Sequence, residues 1–428
     1  MSIMANVMTT EGPKLARLLE SAPGGPEWLQ RLRDEGRAAF LRIGIPTSKH
    51  EEWKYTNLRD LAELEFADAP QNAPASPWDG TESEAGATFE NGRLVRWQGA
   101  NGVTIEPIAE CIANDCPGVR EHLGQYARPT EHPFVALNTA VFEHGVVVRI
   151  AKDAQVEKPI HLRFVNGAAD RPYVTNPRVL VVAERGSEAF ILERHYGEGV
   201  YFANPVFEVK VEENAHLEHV KVQQESSEAF HIATIEGHQE ANSIYHTVSA
   251  SFGAQLSRND WNVYLNGQNV ETRLYGAYVG MGEQVSDQHT RLDHAQPNCN
   301  SFEVYKGILG DRASGVFNGK IFVHQDAQKT DAKQTNQALL LSPTATIDTK
   351  PQLEIYADDV KCTHGATVGQ LEEEALFYLR ARGIPFDVAR SLLTYAFASE
   401  VLDHITHEQV RDQVERALYE KLGGGFPA

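Results

Sequence analysis

The chain divides by the period of its apolar positions. Trp28, Leu29, Leu32, Ala39, Phe40 and Ile43 recur at spacings of three and four behind Pro26, which predicts an amphipathic helix within the first 65 residues. Pro46 ends it. In GIPTSKHEEWKYTNLRDL, Thr47 or Ser48 stands where a cap is expected for a second helix carrying Glu51 and Glu52 in its first turn. The Pro- and Ala-rich FADAPQNAPASPWDG reads as a linker over about 66–85. A hairpin is then predicted from Leu94 to Trp97 and Val103 to Ile105, ahead of the helix-like HPFVALNTAVF.

From Val146 to about Val368 the texture changes to short β-branched and aromatic runs, among them VVVRI, RVLVVAE, VFEVKVE, TRLYGAYVG and KIFVHQ, with no helix-length segment between them. Turn-forming clusters fall near Gly186, Gly199, Glu213, Ser226, Glu240, Gly253, Gly267, Gly282, Pro297, Asp311, Asp326, Pro343 and Asp358, about 12 to 17 residues apart. Two strand-plus-turn units make a coil of about 28 residues, which suits a parallel β-helix. A β-sandwich also uses near-regular strands, but more than 200 residues of unbroken strand texture favours the solenoid. The predicted organisation is an N-terminal helical and mixed region over 1–145, a β-helix core over 146–369 and a helical region over 370–428.

Open solenoid ends expose strand edges, and the two helical regions are the expected covers. In the second C-terminal helix Val388, Leu392, Leu393, Tyr395, Ala396, Phe397, Val401 and Leu402 occupy more than one face, so part of it is a candidate partner surface.

Charge and cysteine usage narrow the class. Against 59 Asp and Glu stand 39 Lys and Arg, a formal net charge of −20 that disfavours nucleic acid and anionic membranes. No run of about 18 apolar residues occurs, and the N-terminus lacks the basic-then-apolar pattern of a leader. Four Cys, at 111, 116, 299 and 362, form no CxxC and lack the density of a disulfide scaffold, which points to a reducing, cytoplasmic setting.

Seventeen His give no HExxH or other zinc spacing, and no phosphate loop or nucleophile elbow is present. His216 and His219 fall on opposite faces of a strand, a poor metal clamp. Cys362 and His364, in DVKCTHGATVG, fall on one face with Val360 and Ala366, opposite Lys361 and Thr363. Taken alone, that pattern favours burial with the core. The functional alternative is a thiolate and an imidazole offered to zinc or an iron–sulfur species, completed by ligands from elsewhere.

Two stretches carry a family resemblance. GIPTSKHEEWKYTNLRDL resembles the N-terminal signature of SufD proteins. The run from GVFNGKIFVHQD through KCTHGATVG to LRARGIP resembles the C-terminal core shared by the SufB/SufD family of the Suf iron–sulfur cluster assembly machinery. The resemblance implies a right-handed parallel β-helix flanked by helical ends. It also implies pairing with SufB through the β-helix core, and docking of the ATPase SufC on the C-terminal helices, where Glu374, Phe377, Tyr378, Arg380, Leu392 and Phe397 are the candidate contacts. His364 matches the family's interface His, which lies near a SufB Cys implicated in building the nascent cluster, and Cys362 shares its motif. Where the SufB motif resembles EHEATT this chain has CTHGAT, with Gly365 in place of a Glu. A non-catalytic scaffold subunit is therefore expected, one that binds no stable cofactor alone and meets iron or a nascent cluster transiently at the SufB interface. Self-pairing in isolation is a further expectation, and truncation after Gly369 is expected to leave the β body folded.

Two readings from other classes compete. One is a β-helix enzyme acting on carbohydrate, with Trp261, Tyr264, Tyr275 and Tyr278 lining a groove. The other is a structural adaptor without metal chemistry.

Overall fold

The spacing of turns becomes the pitch of a solenoid. In the computed structural model, which describes residues 13–21, 23–74 and 85–423, Glu188, His216, Ile244, Glu271, Asn300, Asp331 and Lys361 stand in register in successive parallel strands, so one coil takes 27 to 31 residues. Coils of two strands build a ten-stranded and an eleven-stranded sheet facing each other across one apolar interior. The fold is a parallel β-solenoid of about eight turns with helices at both ends of the chain.

One corner explains the regularity. Gly186, Asn214, Asn242, Asn269, Asn298 and Lys329 each take positive φ, and each amide bonds to a carbonyl of the next coil, as Asn242 N does to Gln268 O at 2.9 Å. Asn tolerates this left-handed conformation better than other residues with a Cβ. The repeat lies in one backbone conformation per coil, which a motif search does not register.

Three features differ from expectation. First, the hairpin is made by Gly86–Glu90 and Arg93–Gln98, with Glu90 opposite Arg93. Its two-residue turn is Asn91-Gly92, both at positive φ, a strong hairpin signal in sequence. Val103–Pro107 pairs instead with Gly145–Ile150, antiparallel, and Gly86–Glu90 joins Ile160–Asn166 in parallel, so the sheets begin well before Val146.

Second, Glu51–Trp53 is a single 3₁₀ turn entered from His50 and not a helix capped by Thr47 or Ser48. Tertiary contact fixes it there: Trp53 is buried, with the Arg258 guanidinium 3.7 Å over its ring.

Third, the helical regions cover sheet faces and leave an end open. Phe40, Trp53, Phe134 and Leu137 pack on Phe202, Phe230, Ile232 and Leu256 of the eleven-stranded sheet. Ala398, Val401, Leu402, Val410, Val414 and Leu418 pack on Leu192, Val220, Val222, Val248 and Ala250 of the ten-stranded sheet. Both faces of the central strands are thus buried, which accounts for their near-continuous apolar runs.

The expected linker is anchored where it is described: Ala67 bridges to Tyr173, and Asn91 donates to the carbonyls of Pro70 and Asn72 at 2.8 Å. Residues 75–84 of that reading lie outside the described residues. Register between coils is fixed in part by glycine–tyrosine pairs. Gly276 lies opposite Tyr305 and Gly307 opposite Tyr278, and a Cβ on either glycine would stand 2.2–2.3 Å from the facing ring.

Candidate functional site

Lys361–Gly369 is the last strand of the ten-stranded sheet, paired on one side only, with Asp331–Leu340. Thr346–Ile355 ends the other sheet in the same way. Unpaired edges of this length are ready templates for another strand. Residues 363–370 are all exposed.

The alternation predicted for this strand holds. Cys362 and His364 stand opposite the buried Ala332 and Gln334, on the face that in earlier coils points to the interior. The burial expected of His364 does not follow, because no further coil covers that face, and its imidazole is exposed. Cys362 is half-buried against the core, and burial raises its thiol above the ordinary range, which disfavours the thiolate. Open space surrounds the position of a Cβ on Gly365, so the backbone does not require glycine there.

Three residues after this edge begins the helix Glu373–Ala381, which buries none of its residues. Phe377 is 74% exposed and Tyr378 56%, next to exposed Glu374 and Arg380. Phe386, Val388 and Leu392, on the first half of Phe386–Leu402, extend the apolar surface. Such a patch is a candidate interaction surface. Phe397 differs: it is half-buried against the solenoid, with Lys306 Nζ 4.8 Å from its ring, and it belongs to the packed face.

Other functional-looking groups are internal. Glu193, fully buried, lies 2.6 Å from His195 Nε2 and 2.8 Å from His219 Nε2, with Lys221 Nζ at 3.5 Å. Burial alone would favour its protonated form, but Lys221 and the two imidazoles outweigh that and hold it well below the usual carboxylate range. Lys221 donates to His231 Nε2 at 2.9 Å, and His231 Nδ1 meets Glu225 at 2.7 Å. Burial lowers His231 to about 4. These groups pair chiefly with one another, and all are buried. Sequence spacing reveals only part of this cluster: Glu193 and His195 share a strand face two residues apart, whereas His219 and Lys221 reach Glu193 from the next coil.

The four aromatic residues proposed for a carbohydrate groove do not share one. Trp261 and Tyr278 fill the solenoid interior, and Tyr275 stacks on His404 at 3.7 Å under the C-terminal helices. Tyr264 alone of the four borders an outer groove of about 760 Å³, with Tyr126, His132, His238, Arg258 and His289.

The profile described as "SUF system FeS cluster assembly, SufBD core domain" matches residues 164–397, and that of the "SufBD protein N-terminal region" matches residues 87–162. The chain belongs to the SufBD family. An iron–sulfur cluster assembly SufBD family protein of Synechocystis is 35% identical over 90% of this chain and 89% of its own length. The chloroplastic protein ABCI7 of Arabidopsis thaliana is 33% identical over 92% of this chain and 86% of its own. The iron–sulfur cluster assembly protein SufD of Escherichia coli is 31% identical over 90% of this chain and 91% of its own. The core match takes in the edge strand, His364 and most of the two helices that follow, so the open edge lies within the family's shared body. This SufBD chain is an iron–sulfur cluster assembly protein and a SufD homologue. None of its described helices is long and apolar enough to cross a membrane.

Proposed function

We propose that this chain is the SufD-type subunit of a scaffold in which its open edge pairs with SufB, its C-terminal helices dock the ATPase SufC, and His364 contributes to iron admission or nascent cluster formation at the SufB interface. The single observation that carries this is the exposure of His364 on an unpaired strand edge, within the part of the chain that the family's core profile matches. The iron or cluster is cargo, completed by thiolate from the partner, since Cys362 alone supplies one soft donor. ATP hydrolysis falls to SufC, which makes this chain a non-catalytic subunit. Its four cysteines are free thiols, which suits the reducing cytoplasm.

Coupling has a short path. The edge strand ends at Gly369 and the exposed helix starts at Glu373, so force on that helix reaches the edge through three residues. ATP-driven dimerisation of SufC would pull there, while the Lys306–Glu400 ion pair anchors the second helix to the sheet. The test is co-purification of His364→Ala with SufB and SufC, followed by iron and sulfide analysis. The expected result is an intact complex with sharply reduced cluster content. An intact complex with wild-type cluster content overturns the role of His364 and favours an adaptor without metal chemistry.

A further inference from the structure

Two of the four cysteines meet. Ile108–Asn114 is a short helix that ends with Asp115 in the left-handed conformation, and Cys116 N bonds to Cys111 O at 2.9 Å. That is the six-residue bond of a Schellman motif, which returns the chain over the third residue from the helix end. The motif commonly brings two apolar side chains together at these positions; here both are thiols. A third donor arrives from the preceding strand: Glu106 Oε2 lies 3.7 Å from Cys111 Sγ. The donor atoms of Glu106, Cys111 and Cys116 all fall within 4.8 Å of one another.

The spacing has a chemical meaning. For a tetrahedral ion with metal–sulfur bonds near 2.3 Å and metal–oxygen bonds near 2.1 Å, the sulfur–oxygen edge is about 3.6 Å. The observed edge differs from this by about 0.1 Å. Arg120, the nearby cation, is engaged elsewhere, with Asp115 at 2.7 Å and over the ring of Trp28. Among the described residues no Lys or Arg pairs with Glu106. Cys111 is buried among Leu29, Ile108, Ile112 and Val119, Cys116 is half-buried and Glu106 exposed. The arrangement is a tripod with a closed back and an open front.

We infer that Glu106, Cys111 and Cys116 form a binding site for a thiophilic divalent cation, Zn²⁺ or Fe²⁺, with the fourth position open to solvent. Two sulfur donors disfavour Mg²⁺ and Ca²⁺, which prefer oxygen ligands. The site lies near the N-terminal end of the solenoid and shares no residue with the His364 edge.

The test uses the full-length reduced protein, freed of metal and titrated with Co²⁺. The expected result is one thiolate-bound Co²⁺ per chain, with sulfur-to-cobalt charge transfer in the near ultraviolet and the strong visible absorption of four-coordinate cobalt. Zn²⁺ should displace it. The bands should vanish in Cys116→Ser, weaken in Glu106→Gln, and persist in Cys299→Ser. Should Cys116→Ser fail to fold, protection of Cys116 from alkylation by Zn²⁺ in the wild-type chain supplies the same answer. Metal analysis of protein purified anaerobically from cells then separates the two ions: zinc or iron at one per chain, lost in Glu106→Gln. Cobalt bound without charge transfer, bands unchanged in Cys116→Ser, or alkylation of Cys116 indifferent to Zn²⁺ would overturn the inference.

Discussion

His364 owes its exposure to where the sheet stops, since its strand alternates like those beneath it. The preceding coils make the comparison: Gln334, opposite it, is buried and donates to Glu303 at 2.9 Å. Burial raises Glu303 to about 7, against an ordinary value near 4.5. The folded state therefore binds more protons than the unfolded state between those values, and this group's contribution to stability falls as pH rises from 4.5 to 7. Glu303→Gln removes that dependence. Measured by urea unfolding, the variant should gain about 3 kcal/mol on the wild type between pH 4.5 and pH 8. At Gly365, where a side chain has open space, Gly365→Glu should change stability by no more than about 0.5 kcal/mol. A strand pattern reveals which residues share a face. It does not reveal that the coil above is missing, which is why Cys362 and His364 were legible as a pair and the exposure of His364 was not.

At the scale of elements, the C-terminal helices divide into a packed half and a free half. Leu402 is buried on the sheet, so Leu402→Ala should cost about 2–5 kcal/mol in chemical denaturation. Phe377→Ala should leave stability within about 0.5 kcal/mol and lower SufC binding, measured by calorimetric titration. Equal effects of both substitutions on stability would place Phe377 in the fold and not at a surface. Between strands, Gly276→Ala drives a methyl into Tyr305 and should destabilise by about 1–3 kcal/mol. The apolar strands were readable because both of their faces are covered. Phe230–Gln239, Val285–His294 and Asp331–Leu340 were not, because propensity cannot foresee that Asp287 and His289 will meet at 3.0 Å, or that Gln334 will donate to Glu303 at 2.9 Å.

For the whole molecule, the helices that follow the core are part of its stability. Truncation after Gly369 would uncover Leu192, Val220, Val222 and Val248 together, so the β body should aggregate and not stay folded. Protonation acts on the same body. Burial lowers His161 and His294 to about 3 and His231, His238 and His246 to about 4. The unfolded chain takes up these protons near pH 6.5, so their contribution, full above that value, is lost as pH falls from 6.5 to about 4 for three of them and about 3 for His161 and His294. Solenoid architecture was legible from turn spacing together with more than 200 residues of unbroken strand texture, whereas the open end was not, because the same helices could have capped it.

The central claim is that this open end is a docking edge. Amide hydrogen exchange of the full-length chain, free and mixed with SufB, tests it at single-segment resolution. Strong new protection over Lys361–Gly369 on complex formation is the predicted result; a stable complex in which those amides exchange as fast as in the free chain contradicts it.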